Sequence, residues 1–297
     1  MSTNSRTRAQ RCVEARWKRL LGCKDEAISL ESALRMGFYA TKLDLEHPSS
    51  DFFEPLTDEY MQNYPVLTET VAAMESKQPE MYKVEEYNPE TAEAAKVSES
   101  VLDRIAWSTS SRVQQITLVL KNLIYHLPRE NTPQGTGPSL ANFSIWCQAC
   151  RPVPLSDAFY INDPPLTDRA AKIRLLFEVE TYVYPHIIML VEHYTPEPVT
   201  DHILLRHELA FLIRAMEIRL DEGCFPKDQP QPVLMVSLVG PQHGRIIQAH
   251  IDGTPRMVVA YSRLYSFEKN EGAPFDLFCR WLLANPVGVE PAQAKEK

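Results

Sequence analysis

The stretch VSLVGPQHGRIIQAHIDG, residues 236–253, decides how the C-terminal part of the chain folds, because apolar and polar residues alternate along both of its arms. A period of two is typical of β-strands. Pro241 cannot donate a hydrogen bond to a ladder, so residues 240–244 form a loop, and Asp252-Gly253 is a tight-turn signal. We therefore predict an antiparallel meander. Its three strands are residues 233–239, 245–251 and 257–261.

Helical periodicity accounts for most of the remaining chain. Asn88-Pro89 is a helix start signal, while Thr200 caps a later helix that Gly223 ends. The segment 169–194 is apolar on nearly every side, which predicts a long central core helix kinked at Pro185. The predicted helices are residues 8–21, 30–42, 89–105, 112–127, 169–194, 201–222 and 275–284.

These elements predict an α+β fold that is predominantly helical, in which a helical body carries a C-terminal three-stranded antiparallel meander flanked by helices. Turn formers concentrate in PRENTPQGTGPSLAN, residues 128–142, and mark a connection between regions. The expected division is a helical N-terminal region (1–127), a loop-rich connection (128–165), long helices with the meander and a closing helix (166–288), and a disordered tail (289–297).

The charge of the chain limits its partners. A formal net charge of −8 disfavours nucleic acid, because phosphate affinity comes from clustered Lys and Arg. The basic opening segment is the only feature that favours it, and a solvated basic helix, a cleaved targeting segment and a nuclear signal all fit that segment. Its cations are Arg6, Arg8, Arg11, Arg16, Lys18, Arg19 and Lys24, against Glu14 alone.

Hydropathy and cysteine usage predict a cytoplasmic protein without a membrane partner. No stretch of eighteen apolar residues lacks charge, and no secretory apolar region follows the start. Six cysteines are too few for a disulfide scaffold in 297 residues, and reduced thiols suit the cytosol. A nuclear or mitochondrial location stays open because of the basic start.

The motifs of common cofactor and metal enzymes are missing or incomplete. GxxxxGK[ST], GxGxxG and GxSxG do not occur, and HELAF at His207 lacks the second histidine of a zinc peptidase. Cys147 and Cys150 have redox spacing, but the flanking prolines favour two buried or half-buried thiols. His186 and His193 lie too far apart on the predicted helix to share an ion. The sequence thus predicts no cofactor and no metal.

Five polar residues are the weak catalytic candidates. Glu208 borders an apolar stripe near Arg219, and we favour a salt-bridged carboxylate over an acid or base with a raised pKa. Gln242, His243 and Arg245 would be displayed at one end of the meander, whereas His250 and Asp252 lie toward the other.

The order helix, three antiparallel strands, helix also occurs in the PD-(D/E)xK nuclease core, to which Glu208 and Asp252 could be fitted. That core needs an acid and a lysine on its third strand to hold Mg²⁺. The matching segment RMVVAYSR, residues 256–263, contains neither, so only a degenerate nuclease-like protein remains as an alternative.

Three further stretches carry a family resemblance: PVLMVSLVGPQHGRIIQAHIDG (232–253), SRLYSF (262–267) and FCRWLLANPVG (278–288). Residues 200–288 resemble a C-terminal region of uncharacterised filamentous-fungal proteins. The resemblance implies a fungal intracellular protein and implies no reaction, ligand or functional residue.

The leading prediction is a non-catalytic interaction or accessory protein that binds a protein partner. The alternatives are an enzyme of unrecognised type, serving fungal specialised metabolism, and the degenerate nuclease-like protein.

Overall fold

A mixed β-sheet runs through the middle of the molecule. The computed structural model describes residues 6–46, 51–133, 135–149, 170–195, 198–226, 228–251 and 256–292. The strands are β1 (Ala27–Ser29), β2 (Phe38–Lys42), β3 (Phe53–Glu54), β4 (Trp146–Gln148), β5 (Ala171–Val179), β6 (Ile187–His193), β7 (Ile203–Leu205), β8 (Val233–Val239), β9 (His243–Ile251), β10 (Met257–Tyr261), β11 (Tyr265–Ser266) and β12 (Asn285–Pro286).

The main sheet has the order β2-β10-β9-β8-β6-β5-β4, with β11 also paired to β9. β2 is parallel to β10 and β6 is parallel to β8, while the other neighbours are antiparallel. Two short antiparallel ladders join β1 to β7 and β3 to β12. Strands from the first fifty residues are therefore integrated with strands from the last hundred.

Helices cover both faces of the sheet. They are α1 (Arg8–Leu21), α2 (Leu30–Met36), α3 (Asp58–Asn63), α4 (Thr68–Lys77), α5 (Pro89–Lys96), α6 (Val101–Ala106), α7 (Thr109–Lys121), α8 (Arg206–Glu222) and α9 (Phe275–Leu282). A π-helical turn, Asn122–His126, continues α7. α1 packs on α8, and both share a core with one sheet face, whereas α7 and α9 share a core with the other.

Alternate residues of the central strands enter these two cores. Along β8, Val233 and Met235 lie in the core under α8, while Leu234, Val236 and Leu238 lie in the core under α7 and α9. Every residue of β6 and β8 is buried. Strands that are buried on both faces read as continuous apolar runs.

The predicted predominance of helix is wrong, because the segment 169–194 is not a helix. From residue 170 onward it forms the antiparallel pair β5 and β6, and His186 precedes β6 while His193 ends it, so the two do not share a helix face. Periodicity cannot separate a doubly buried strand from a buried helix. The β-branched residues of β6 and the preceding Pro185 favour a strand. The fold is α+β around a large mixed sheet.

The predicted meander is confirmed by β8, β9 and β10, which α8 and α9 flank, although it belongs to the larger sheet. The predicted loop 240–244 is too long, because β9 begins at His243 and pairs with β8 from there. Its Asp252-Gly253 turn lies outside the described residues. Two predicted helices are too long: Gly37, with φ 93°, ends α2 before β2 begins, and α8 begins only at Arg206, after β7. Gly223, with φ 67°, ends α8 as predicted.

Candidate functional site

Glu208 and Arg245 form an ion pair inside the protein. Glu208 lies in the first turn of α8 and Arg245 in β9, and neither side chain is exposed. Arg245 Nε donates to Glu208 Oε1 at 2.9 Å, and a second guanidinium N–H donates to Oε2. Ser237 Oγ and the backbone N–H of Leu205 donate to the same carboxylate at 2.5 and 2.7 Å. Four donors thus occupy the four acceptor positions of one carboxylate.

These donors determine the ionisation of Glu208. Burial raises the pKa of Glu208, but the charge of Arg245, the nearby His193 and the hydrogen bonds from Arg245 and Ser237 together outweigh burial, and the net pKa lies below its ordinary value. A carboxylate that is ionised and fully hydrogen-bonded has no lone pair left for a substrate proton. Glu208 is therefore a salt-bridged residue, as we favoured from the sequence, with Arg245 in place of Arg219 as its partner.

His193 lies beside this pair at the end of β6. Its side chain is buried, and its Nε2 has no hydrogen-bond partner among the residues that the structure describes. Burial lowers the pKa of His193 to about 4. The ring is consequently neutral near pH 7 and enclosed by the core.

Arg219 lies at the other end of α8, about 16 Å from Glu208 along the helix axis. It donates to Glu178 Oε2 at 3.1 Å and to Glu222 Oε2 at 2.8 Å, and the hydroxyl of Tyr182 donates to Glu178 Oε1 at 3.1 Å. Burial raises the pKa of Glu178, and burial together with Glu178 raises the pKa of Tyr182 to about 12. Arg219 therefore fixes the end of α8 to β5.

Gln242 and His243 lie where β9 begins. The buried Gln242 donates through Nε2 to the backbone carbonyl of Glu85 at 3.1 Å, and burial lowers the pKa of the half-buried His243. The structure thus joins Glu208 to Arg245, Arg219 to Glu178, and Gln242 to Glu85. Each pairing connects two parts of the fold instead of contributing to one shared pocket.

The remaining sequence candidates add no further chemistry. His250 contacts the ring of Phe52 at 4.6 Å, Cys147 lies in β4, and Asp252 and Cys150 fall outside the described residues. Within the described ranges, no group of three or more His, Cys, Asp or Glu side chains could hold a metal ion. No helix in the same ranges is long and apolar enough to cross a bilayer.

An exposed apolar surface on α5 and α6 is the feature that our sequence reasoning missed. Val97, at the end of α5, is 85% exposed, and Leu102 is 77% exposed. Val101 and Ile105 are each 56% exposed and lie four residues apart, on one face of α6. We call these four side chains the α5–α6 surface. They are four of the nine large apolar side chains exposed in the described part of the chain.

The spacing of these residues is visible in the sequence, but helical spacing alone predicts that they are buried and not exposed. Residues 97, 101 and 105 recur at i, i+4, a pattern that normally marks a buried helix face. The predicted helix 89–105 is instead two short helices, broken at residues 97–100, and α6 has no buried residue. Only the placement of α6 on the outside reveals the exposure.

Acidic residues outnumber basic residues in the segment that carries the α5–α6 surface. This segment contains four exposed acids and two bases. Lys96 forms an ion pair with Glu93, and Arg104 donates a hydrogen bond to the carbonyl of Ser98. The acids are Glu90, Glu93, Glu99 and Asp103. The apolar centre therefore has an acidic margin.

The chain matches no protein-family model, no curated protein and no solved structure. The resemblance to filamentous-fungal proteins accordingly stays a prediction.

Proposed function

We propose that this chain is a non-catalytic interaction protein that binds a protein partner through the α5–α6 surface. The observation that carries the proposal is the solvent exposure of Val97, Val101, Leu102 and Ile105 in adjoining short helices. Contiguous exposed apolar patches with polar margins mark interaction sites in monomeric proteins.

The apolar contacts supply only part of the free energy that binding needs. Burial of four Val, Leu and Ile side chains contributes roughly 4–8 kcal/mol. Association costs about 4–15 kcal/mol in lost freedom, so the apolar contact needs additional polar contacts around it. The acidic margin would supply them and would steer the encounter.

The partner that fits this surface is an amphipathic helix with Lys or Arg beside its apolar stripe. Apolar residues at i, i+3 and i+4 of the partner would pack on Leu102 and Ile105, as in other recognition through a helix face. Its cations would face Glu99 and Asp103, both of which are exposed. An acidic partner would be repelled.

The enzyme alternative has no comparable observation in its favour. Glu208 and Arg245 hydrogen-bond to each other and to backbone groups. Arg219 forms ion pairs with Glu178 and Glu222. Such pairings are typical of structural ion pairs.

The test is affinity purification of the full-length protein from cells of its native host, with quantitative mass spectrometry. The disrupting variant is Leu102→Glu/Ile105→Glu, and the matched control is Leu21→Glu/Leu34→Glu, which changes two exposed leucines elsewhere. We expect a partner that the wild type and the control retain and that the disrupting variant loses at least about tenfold. A synthetic peptide of the partner's basic helix should then bind the purified protein directly, and more weakly as salt rises.

Two results would overturn the proposal. One is a set of captured proteins that is the same for the disrupting variant and the wild type. The other is self-association in sedimentation experiments that the disrupting variant alone abolishes, because the occupant of the surface would then be a second copy of the chain.

A further inference from the structure

Arg129 is a buried cation without a carboxylate partner among the described residues. It is 3% exposed and follows the π-helical turn at the end of α7. Its NH1 group donates to the carbonyl of Tyr64 at 3.2 Å and its NH2 group to the carbonyl of Leu123 at 2.9 Å. Nε has no partner in the described ranges. A guanidinium has five N–H donors, so these contacts leave three of them unused.

Three other buried arginines are neutralised by acids. Arg245 pairs with Glu208, Arg219 with Glu178, and Arg112 with Glu85. Burial of a charge is costly unless it is paired and hydrogen-bonded. Burial lowers the pKa of Arg129, and the acidic groups of Cys279 and Asp276 oppose this only in part. A bound anion would therefore supply the counterion that Arg129 lacks among the described residues.

A cleft of about 350 Å³ opens beside Arg129. Its apolar walls include Met61 of α3, Val71 of α4, Val66 between them and Leu123 of the π-helical turn. The rest of the lining is Pro65 and the polar residues Asp58, Gln62, Tyr82, Arg129 and Asp276. This volume lies at the lower end of the range for small-molecule sites, which combine apolar walls with a few placed polar groups. The cleft is separate from the α5–α6 surface.

We propose that this cleft binds a small organic acid, with its carboxylate on Arg129 and an apolar body against Met61, Val71 and Leu123. A planar guanidinium matches a carboxylate in geometry and charge. The apolar walls would hold a hydrocarbon or aromatic group.

The acids at the edge of the cleft limit the ligand to a single negative charge. Asp276 is exposed there, and Asp58 is paired with Arg280. Their charge would repel inorganic phosphate more strongly than a monocarboxylate. A cationic ligand would meet Arg129 at the base of the cleft.

The probes are 4-(trifluoromethyl)phenylacetate and its neutral amide, followed by ¹⁹F NMR of the ligand with full-length protein. We expect saturable binding of the acid and at least about tenfold weaker binding of the amide, since only the acid neutralises Arg129. Inorganic phosphate should not displace the acid.

Two variants of α4 tie the binding to the cleft without removing the bonds of Arg129 to the backbone. Val71→Trp fills the cleft, while the matched control Ala73→Trp changes an exposed position of the same helix. Val71→Trp should abolish acid binding and Ala73→Trp should preserve it. Arg129→Lys should weaken it at least about tenfold, because a lysine cannot replace the planar fork.

The proposal fails if the amide binds as tightly as the acid, if Val71→Trp retains binding, or if the acid shows no saturable binding at about 10 mM. None of these results bears on the α5–α6 surface, whose test uses different variants and a different readout.

Discussion

The guanidinium of Arg245 contacts both carboxylate oxygens of Glu208 at a position where neither side chain is exposed. α8 and β9 are joined there by charge as well as by apolar packing. Such a pair adds little stability relative to an apolar pair, but loss of one member leaves the other charge uncompensated. The two residues should respond to mutation as a unit.

Glu208→Gln should lower the free energy of unfolding by about 3–5 kcal/mol, because Arg245 would stay buried without a counterion. The double variant Glu208→Leu/Arg245→Met should lose clearly less than the single variants Glu208→Leu and Arg245→Met together, with the wild type as the fourth protein of the cycle. Urea denaturation of the four proteins measures this coupling. Additive losses would show that the pair does not act as a unit.

Two buried histidines should make stability depend on pH. Burial lowers the pKa of His186 and of His193 to about 4, whereas each has an ordinary pKa of about 6.5 when unfolded. Between these values the unfolded chain binds more protons, so stability rises with pH and is lost on acidification. We expect a loss of roughly 4 kcal/mol from both residues together between pH 7 and pH 5.

Urea midpoints at a series of pH values measure this loss. His186→Gln and His193→Gln should each remove about half of the change, whatever their effect at pH 7. The pH range lies above the titration of Glu208, whose pKa is below its ordinary value. A variant with the wild-type slope would contradict the assignment.

Gly244 should not tolerate a side chain. A Cβ there would lie 2.9 Å from a methyl carbon of Leu238 and 2.9 Å from a ring carbon of Phe278. We expect Gly244→Ala to cost about 1–3 kcal/mol through overpacking. Gly22→Ala is the control, since its nearest neighbour would be 3.5 Å away. Equal stabilities of the two variants in thermal unfolding would contradict this packing.

The α5–α6 surface should matter little for folding. Leu102→Glu is expected to change the free energy of unfolding by less than about 0.5 kcal/mol, because Leu102 is already in solvent. Leu120→Ala, in α7 and fully buried, should cost about 2–5 kcal/mol. A large loss for Leu102→Glu would mean that α6 packs against the protein.

Turn residues, and not solvent exposure, separate the strands that the sequence predicts from those that it misassigns, since β8 is buried on both faces just as β6 is. β8, β9 and β10 follow from alternation and turn residues, and Gly223 correctly ends α8. The sequence predicts one helix for β5 and β6 because β6 is buried on both faces and no Gly-Pro or Asp-Gly pair separates the two strands. Their neighbours in the sheet decide the conformation, and those neighbours are distant in sequence.

The same reasoning applies to the candidate site. A buried carboxylate at Glu208 could be anticipated, but its partner Arg245 depends on how β9 crosses α8. Arg129 and the α5–α6 surface depend on exposure, which periodicity does not report. Arg129 is recognised as unusual only because Nε has no hydrogen-bond acceptor in the described part of the chain.

The parallel ladder between β2 and β10 pairs Phe38 with Met257. During synthesis β2 leaves the ribosome long before β10 exists, so its ladder partner is missing for most of translation. Non-local pairing of this kind slows folding and leaves strand edges open to aggregation. The nascent chain should therefore depend on chaperones until its last quarter has been made.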